Sequence, residues 1–140
     1  MNQCTNSAVG SKRYRLTVHC QGGHSYADFG KENAIETLSK IMYELSHQQI
    51  PTEAKTTYNF GKIEGGTTIN AIASTATLLY EYRSSMQNCL DIMEKQFQEI
   101  VSHYSNVEIE ILGVRPGNGL LNQEKFEKFT NKKCHSKSEK

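Results

Sequence analysis

The chain has 140 residues, and its 16 Lys and Arg against 15 Asp and Glu leave a formal net charge of +1. That length suits one domain with a sizeable core and frayed ends. Balanced charge argues against a global field for nucleic acid or an anionic membrane, and no apolar run nears the roughly 20 residues that span a bilayer.

Met1-Asn2-Gln3-Cys4-Thr5-Asn6-Ser7 lacks the charged region and apolar core of a signal peptide. Cys4, Cys20, Cys89 and Cys134 lie far apart with no CxxC pair. Metal-knuckle spacing is therefore absent, and free thiols in a reducing, cytoplasmic compartment are expected.

Residues 1–11 are small and polar and read as a flexible lead-in. From Arg13 to Cys20 the pattern alternates, with Tyr14, Leu16, Val18 and Cys20 on one face, which predicts a half-buried strand. Gln21 to Gly30 is a glycine-marked loop. Asn33 to about His47 predicts a helix, with Asn33 and Glu36 placed as a capping box and Ile35, Leu38, Ile41, Met42 and Leu45 as its apolar stripe.

Lys55 to Ile63 is rich in Thr, Tyr and Phe and predicts a second strand. Gly65-Gly66-Thr67-Thr68-Ile69-Asn70 breaks it. Residues 74–83 alternate again, with Ala76, Leu78, Tyr80 and Tyr82 on one face. Ser84 with Gln87 predicts a capping box for a second helix, whose stripe is Met86, Leu90, Met93, Phe97, Ile100 and Tyr104. Val107, Ile109 and Ile111 predict a fourth strand. This order predicts an α+β, ferredoxin-like βαββαβ domain over residues 12–112, a four-stranded antiparallel sheet with two helices on one face. Residues 113–140 read as a return loop, a short helix over Leu121–Phe129 and a Lys-rich disordered tail.

Fold alone says little about function, so the site must carry the argument. Three polar residues sit at glycine breaks or strand ends. His24, on the Gly22-Gly23 turn, could donate to a developing oxyanion, or could simply be a loop histidine satisfied by local backbone. Asn70, after Gly65-Gly66, could hydrogen-bond a ligand oxygen or serve as a turn residue. Arg83 could bind a carboxylate with its planar fork, or pair on the surface with Glu81.

Taken together, these residues carry a resemblance. Gly22-Gly23-His24-Ser25, Asn33-Ala34-Ile35, Gly65-Gly66-Thr67-Thr68-Ile69-Asn70-Ala71-Ile72 and Arg83, thirteen places after Asn70, occur in that order. The pattern resembles the dimerisation (lid) domain of the zinc exopeptidases and deacylases, the family of peptidase T, succinyl-diaminopimelate desuccinylase, aminoacylase and the glutamate carboxypeptidases. The chain departs from that family at Ala73 and in Tyr26–Gly30, where the family commonly has Pro. The resemblance implies a homodimer through this domain, inserted into a catalytic domain with two zinc ions that acts on a peptide or N-acyl amino acid. It implies that His24 stabilises the oxyanion in the partner subunit's active site, that Asn70 helps hold substrate, and that Arg83 binds the substrate carboxylate. The chain has no His-x-Asp and no Glu-Glu, so it is expected to hold no metal and to be inactive alone, as an excised or stand-alone lid domain. The other reading is a ferredoxin-like module binding RNA or a small ligand, with Tyr58 and Phe60 as exposed aromatics.

Overall fold

The computed structural model describes residues 9–117. The readings made for residues 1–8 and 118–140, including the short helix and the Lys-rich tail, lie outside the described residues. The elements in chain order are β1 (Gly10–His19), β2 (Gly23–His24), α1 (Ala34–Ser46), β3 (Thr56–Gly65), β4 (Ala71–Ile72), β5 (Thr75–Ser84), α2 (Gln87–Val101) and β6 (Val107–Arg115). Four strands form an antiparallel sheet in the order β3-β5-β1-β6. Both helices pack on its central strands, β1 and β5. This is the α+β, ferredoxin-like arrangement. The short strands β2 and β4 form a separate ladder.

Alternation in β1 and β5 makes the core. Their register pairs Tyr14 with Tyr80, Leu16 with Leu78 and Val18 with Ala76, and all six side chains are buried. Leu38, Ile41 and Leu45 of α1 and Leu90, Met93, Phe97 and Val101 of α2 close over them. Burying one such large side chain stabilises by about 1.5–3 kcal/mol. Phe97 stacks on Tyr14 with ring centroids 4.2 Å apart.

Asn33 caps α1 as predicted: its Oδ1 accepts the backbone N–H groups of Ile35 (2.9 Å) and Glu36 (3.3 Å). The predicted cap of α2 is corrected. Ser84 is the last residue of β5, Met86 occupies the N-cap position, and no side chain caps this helix. The Ser84 hydroxyl instead accepts from Thr56 (3.0 Å) and from the Met86 N–H (3.3 Å), tying strand to strand before the helix starts. The fully buried face of α2 is Cys89, Leu90, Met93, Phe97 and Val101, while Ile100, and Tyr104 past the helix end, are partly buried against the same core.

Two β-bulges mark the edge strands. Gly61 is extra in β3 and Leu112 is extra in β6. Beyond Leu112 the chain stays paired, with Gly113 opposite Arg13 and Arg115 opposite Ser11. The glycines read as a loop from Gly113 onward therefore begin inside a strand. Gly10 packs on the far end of the domain, where an added Cβ would lie 2.5 Å from the Gly117 nitrogen. Tyr58 and Phe60 face the helices and pack against Tyr80, with ring centroids 6.3 and 5.6 Å away. They are not the outward aromatics of an RNA-binding sheet. Among the described residues, no helix is long and apolar enough to cross a membrane.

Candidate functional site

Past β1 the chain makes a hairpin-like excursion that needs its glycines. Gly22 has φ +87° and Gly23 φ +150°, both disfavoured for other residues. Gly23 then pairs with Ile72 and His24 with Ala71, and the Ser25 N–H donates to the Asn70 carbonyl at 3.0 Å. This ladder brings the backbones of His24 and Asn70 to neighbouring positions, with Ala71 opposite His24 and Asn70 bonded to Ser25. The far side of the loop is tied down by Glu32, whose Oε2 accepts from the Thr37 hydroxyl (2.7 Å) and the Asn106 amide (3.1 Å). These two bonds hold the Glu32 carboxyl below its usual range. Burial, followed by the nearby Glu32 charge, pushes the Cys20 thiol up.

The histidine turn closes on itself. The His24 N–H donates to Asp28 Oδ2 at 2.7 Å, and the Asp28 N–H donates to the His24 carbonyl at 2.9 Å. The Tyr26 and Ala27 N–H groups donate to His24 Nδ1 at 3.2 and 3.4 Å. Nε2 has no partner among the described residues. The local-backbone reading of His24 is thus satisfied at one ring nitrogen, while the other remains able to act. The bond from the His24 N–H, together with Lys31 Nζ 3.3 Å away, holds the Asp28 carboxyl below its usual range.

Asn70 is exposed, and its Oδ1 accepts from the Thr68 hydroxyl at 3.0 Å. That fixes the amide with its nitrogen as the available donor. Arg83 stands elsewhere. It lies opposite Ser11 and Thr57 at the far end of β5, while the ladder adjoins the end near Thr75. Eight residues of strand put Arg83 about 26 Å from that end. Its Nε bonds Glu81 at 3.1 Å, and Glu81 also holds Arg13 Nε at 3.3 Å. One copy of the chain therefore brings His24 and Asn70 together and leaves Arg83 apart, with half of its fork engaged by Glu81.

Sequence reasoning missed four residues here. Asp28 closes the turn, and its position four residues after His24 was the available signal. Tyr26, Phe29 and Ile69 are 89%, 89% and 100% exposed. Three large apolar side chains lie bare on the two loops that carry His24 and Asn70, where burial would ordinarily be favoured. Among the described residues, no group of three or more His, Cys, Asp or Glu is placed to hold a metal ion.

Comparison with known proteins follows the same outline. A family model described as the peptidase dimerisation domain matches residues 6–108. No curated protein matches the chain. Among solved structures, the chain is similar to an aminobenzoyl-glutamate utilization protein from Klebsiella pneumoniae, with TM-score 0.73 and 15% identity over 79% of this chain and 30% of that one. It is similar to a hydantoinase/carbamoylase family amidase from Burkholderia phymatum, with TM-score 0.67 and 18% identity over 77% of this chain and 29% of that one. A further hydantoinase/carbamoylase family amidase, from Burkholderia ambifaria, gives TM-score 0.65 and 15% identity over 78% and 29%. At these identities the likeness shows the fold alone, and the chain spans under a third of each of these proteins. The family match over most of its length establishes that this chain belongs to the peptidase dimerisation domain family.

Proposed function

We propose that this chain is the dimerisation and substrate-gating part of a metal-dependent amidohydrolase or peptidase. In this reading His24 supplies a hydrogen-bond donor to the oxyanion that forms when an amide carbonyl is attacked. Asn70 adds a second donor beside it, and Arg83 receives a substrate carboxylate. The described residues do not fit a dinuclear zinc site. The two zinc ions belong to a catalytic domain outside this chain, and the chain alone is inactive. The compartment is cytoplasmic.

The observation that carries the reading is the separation of the site residues along the sheet. His24 and Asn70 sit at one end, about 26 Å from Arg83, so a single copy cannot apply all three to one small substrate. Two copies can. β3 is bonded on one side only, and antiparallel pairing of two β3 edges places the ladder end of one chain beside the Arg83 end of the other. β3 also suits self-pairing. Ile63 is 54% exposed next to the 45% exposed Ile35 of α1, over a shallow apolar groove of about 250 Å³ that Leu38, Gly65 and Ala76 also line. Lys62 and Glu64 give this edge both signs of charge. On the opposite edge, β6, Glu108 and Glu110 are engaged by His19 and Arg15 of β1.

Two further features support a domain seated within a larger enzyme. Gly10 and Gly117 lie against each other, the geometry with which one domain is inserted into a loop of another. The bare Tyr26, Phe29 and Ile69 surround the turn where a neighbour would cover them.

The test has two arms. Sedimentation of the chain should show a dimer that Ile63→Lys dissociates. A strictly monomeric mass at high concentration would remove the self-pairing. In the enzyme that houses the domain, His24→Ala should lower kcat by about 10²–10³, the usual cost of one oxyanion donor. Unchanged kcat would remove His24 from the mechanism.

A further inference from the structure

We propose that Asp28 is a positioning residue that fixes His24 as its Nε2–H tautomer, so that the outward ring nitrogen is the donor. This rests on the role given to His24 above and adds a residue to it. A backbone amide N–H donates and never accepts. Two of them, from Tyr26 and Ala27, converge on His24 Nδ1 at 3.2 and 3.4 Å. Nδ1 must therefore present its lone pair, and the proton of the neutral ring resides on Nε2. A proton on Nδ1 would face two N–H groups and break both bonds.

Those two amides point inward only because residues 24–28 form a closed turn, and Asp28 closes it from both ends. Its Oδ2 accepts the His24 N–H at 2.7 Å, and its own N–H donates to the His24 carbonyl at 2.9 Å. Lys31 steadies the carboxylate through Nζ at 3.3 Å from Oδ1, and its N–H donates to the Asp28 carbonyl at 3.1 Å. The carboxylate occupies the space a side chain at position 23 would need: an added Cβ at Gly23 would lie 2.7 Å from Asp28 Oδ2. The double glycine thus does more than bend the chain. Gly23 leaves room for the group that orients the next residue.

A histidine held only by a loose loop would sample both tautomers. The experiment reads that difference directly, by long-range ¹H–¹⁵N correlation of the imidazoles in the labelled chain at a pH where they are neutral. His103, whose ring makes no bond among the described residues, is the internal reference, and His24→Gln assigns the peaks. The wild-type chain should show the Nε2–H pattern alone for His24. Asp28→Ala should move it toward the mixed pattern of His103, and the Tyr26 and Ala27 amides should exchange about tenfold faster, as expected for losing one net hydrogen bond. Asp28→Asn, which keeps an acceptor oxygen for the His24 N–H, should restore the wild-type pattern. A mixed pattern in the wild type, or an Asp28→Ala spectrum identical to it, overturns the proposal. No turnover enters this measurement, so its failure falls on Asp28, whereas kcat of His24→Ala judges His24 itself.

Discussion

The Tyr14 and Tyr82 hydroxyls meet 3.0 Å apart inside the core, and both residues are fully buried. Burial raises both phenols far above their ordinary range, so each stays neutral and each hydroxyl depends on the other. Removing one oxygen leaves its partner buried and unpaired, which costs about 1–3 kcal/mol. Removing both leaves nothing unsatisfied. Tyr14→Phe and Tyr82→Phe should therefore each destabilise by about 1.5 kcal/mol, while the double variant lies within about 0.5 kcal/mol of wild type. The coupling of about 3 kcal/mol sits at the upper end for contacting residues. Lys12 Nζ lies 5.9 Å from the Tyr14 ring centroid, and phenylalanine keeps that ring, so the cation–π contact should persist through the cycle. The chain has no Trp, so urea unfolding is followed by circular dichroism, with midpoints compared at constant slope. If the double variant loses the sum of the two single losses, the hydroxyls act independently and the reasoning fails.

Three other outcomes are expected. Phe97→Ala should cost about 3–5 kcal/mol, because the ring stacks on Tyr14 and Tyr80; a loss under 1 kcal/mol in the same urea assay would mean that the core collapses around the gap. Asn33→Ala should cost about 1 kcal/mol through the cap of α1, read as a lower unfolding midpoint without a change in slope. The folded Asp28 carboxyl lies below its unfolded value, so its contribution is present above the unfolded carboxylate range and lost as pH falls through the folded value. A ¹³C carboxyl titration should place Asp28 below an ordinary aspartate, and Lys31→Ala should move it partly back.

The fold was legible wherever one periodicity dominated. Tyr14, Leu16 and Val18, and Ala76, Leu78, Tyr80 and Tyr82, alternate cleanly because the helices cover one face of the sheet. The start of α2 was not legible, because Ser84 has the chemistry of a cap but is still bonded into β5. The bulges at Gly61 and Leu112 were hidden because an extra residue keeps composition unchanged while shifting which face follows it. At the site, the motif gave His24, Asn70 and Arg83, but sequence order carries no distance, and the 26 Å gap emerges only from the register of β5. Asp28 escaped because its contribution is a hydrogen bond to a backbone amide, which leaves only its spacing from His24 as a sign.

In the β3-paired dimer proposed above, Arg83 of one chain and the ladder of the other would lie about three strand spacings apart across the sheet, roughly 14 Å, against 26 Å within one chain. If each site takes His24 from one chain and Arg83 from the other, mixed dimers of the housing enzyme must behave in a particular way. A dimer of one His24→Ala chain and one Arg83→Ala chain concentrates both lesions in one site and leaves the other intact, so it should keep about half of wild-type activity. A dimer of one double-variant chain and one wild-type chain spoils both sites, so it should be nearly inactive. Sites built within single chains give the reverse ranking. Mixed dimers purified with two affinity tags, then assayed on a substrate with a free carboxylate, distinguish the two by which retains activity, and the reversed order would refute the shared site.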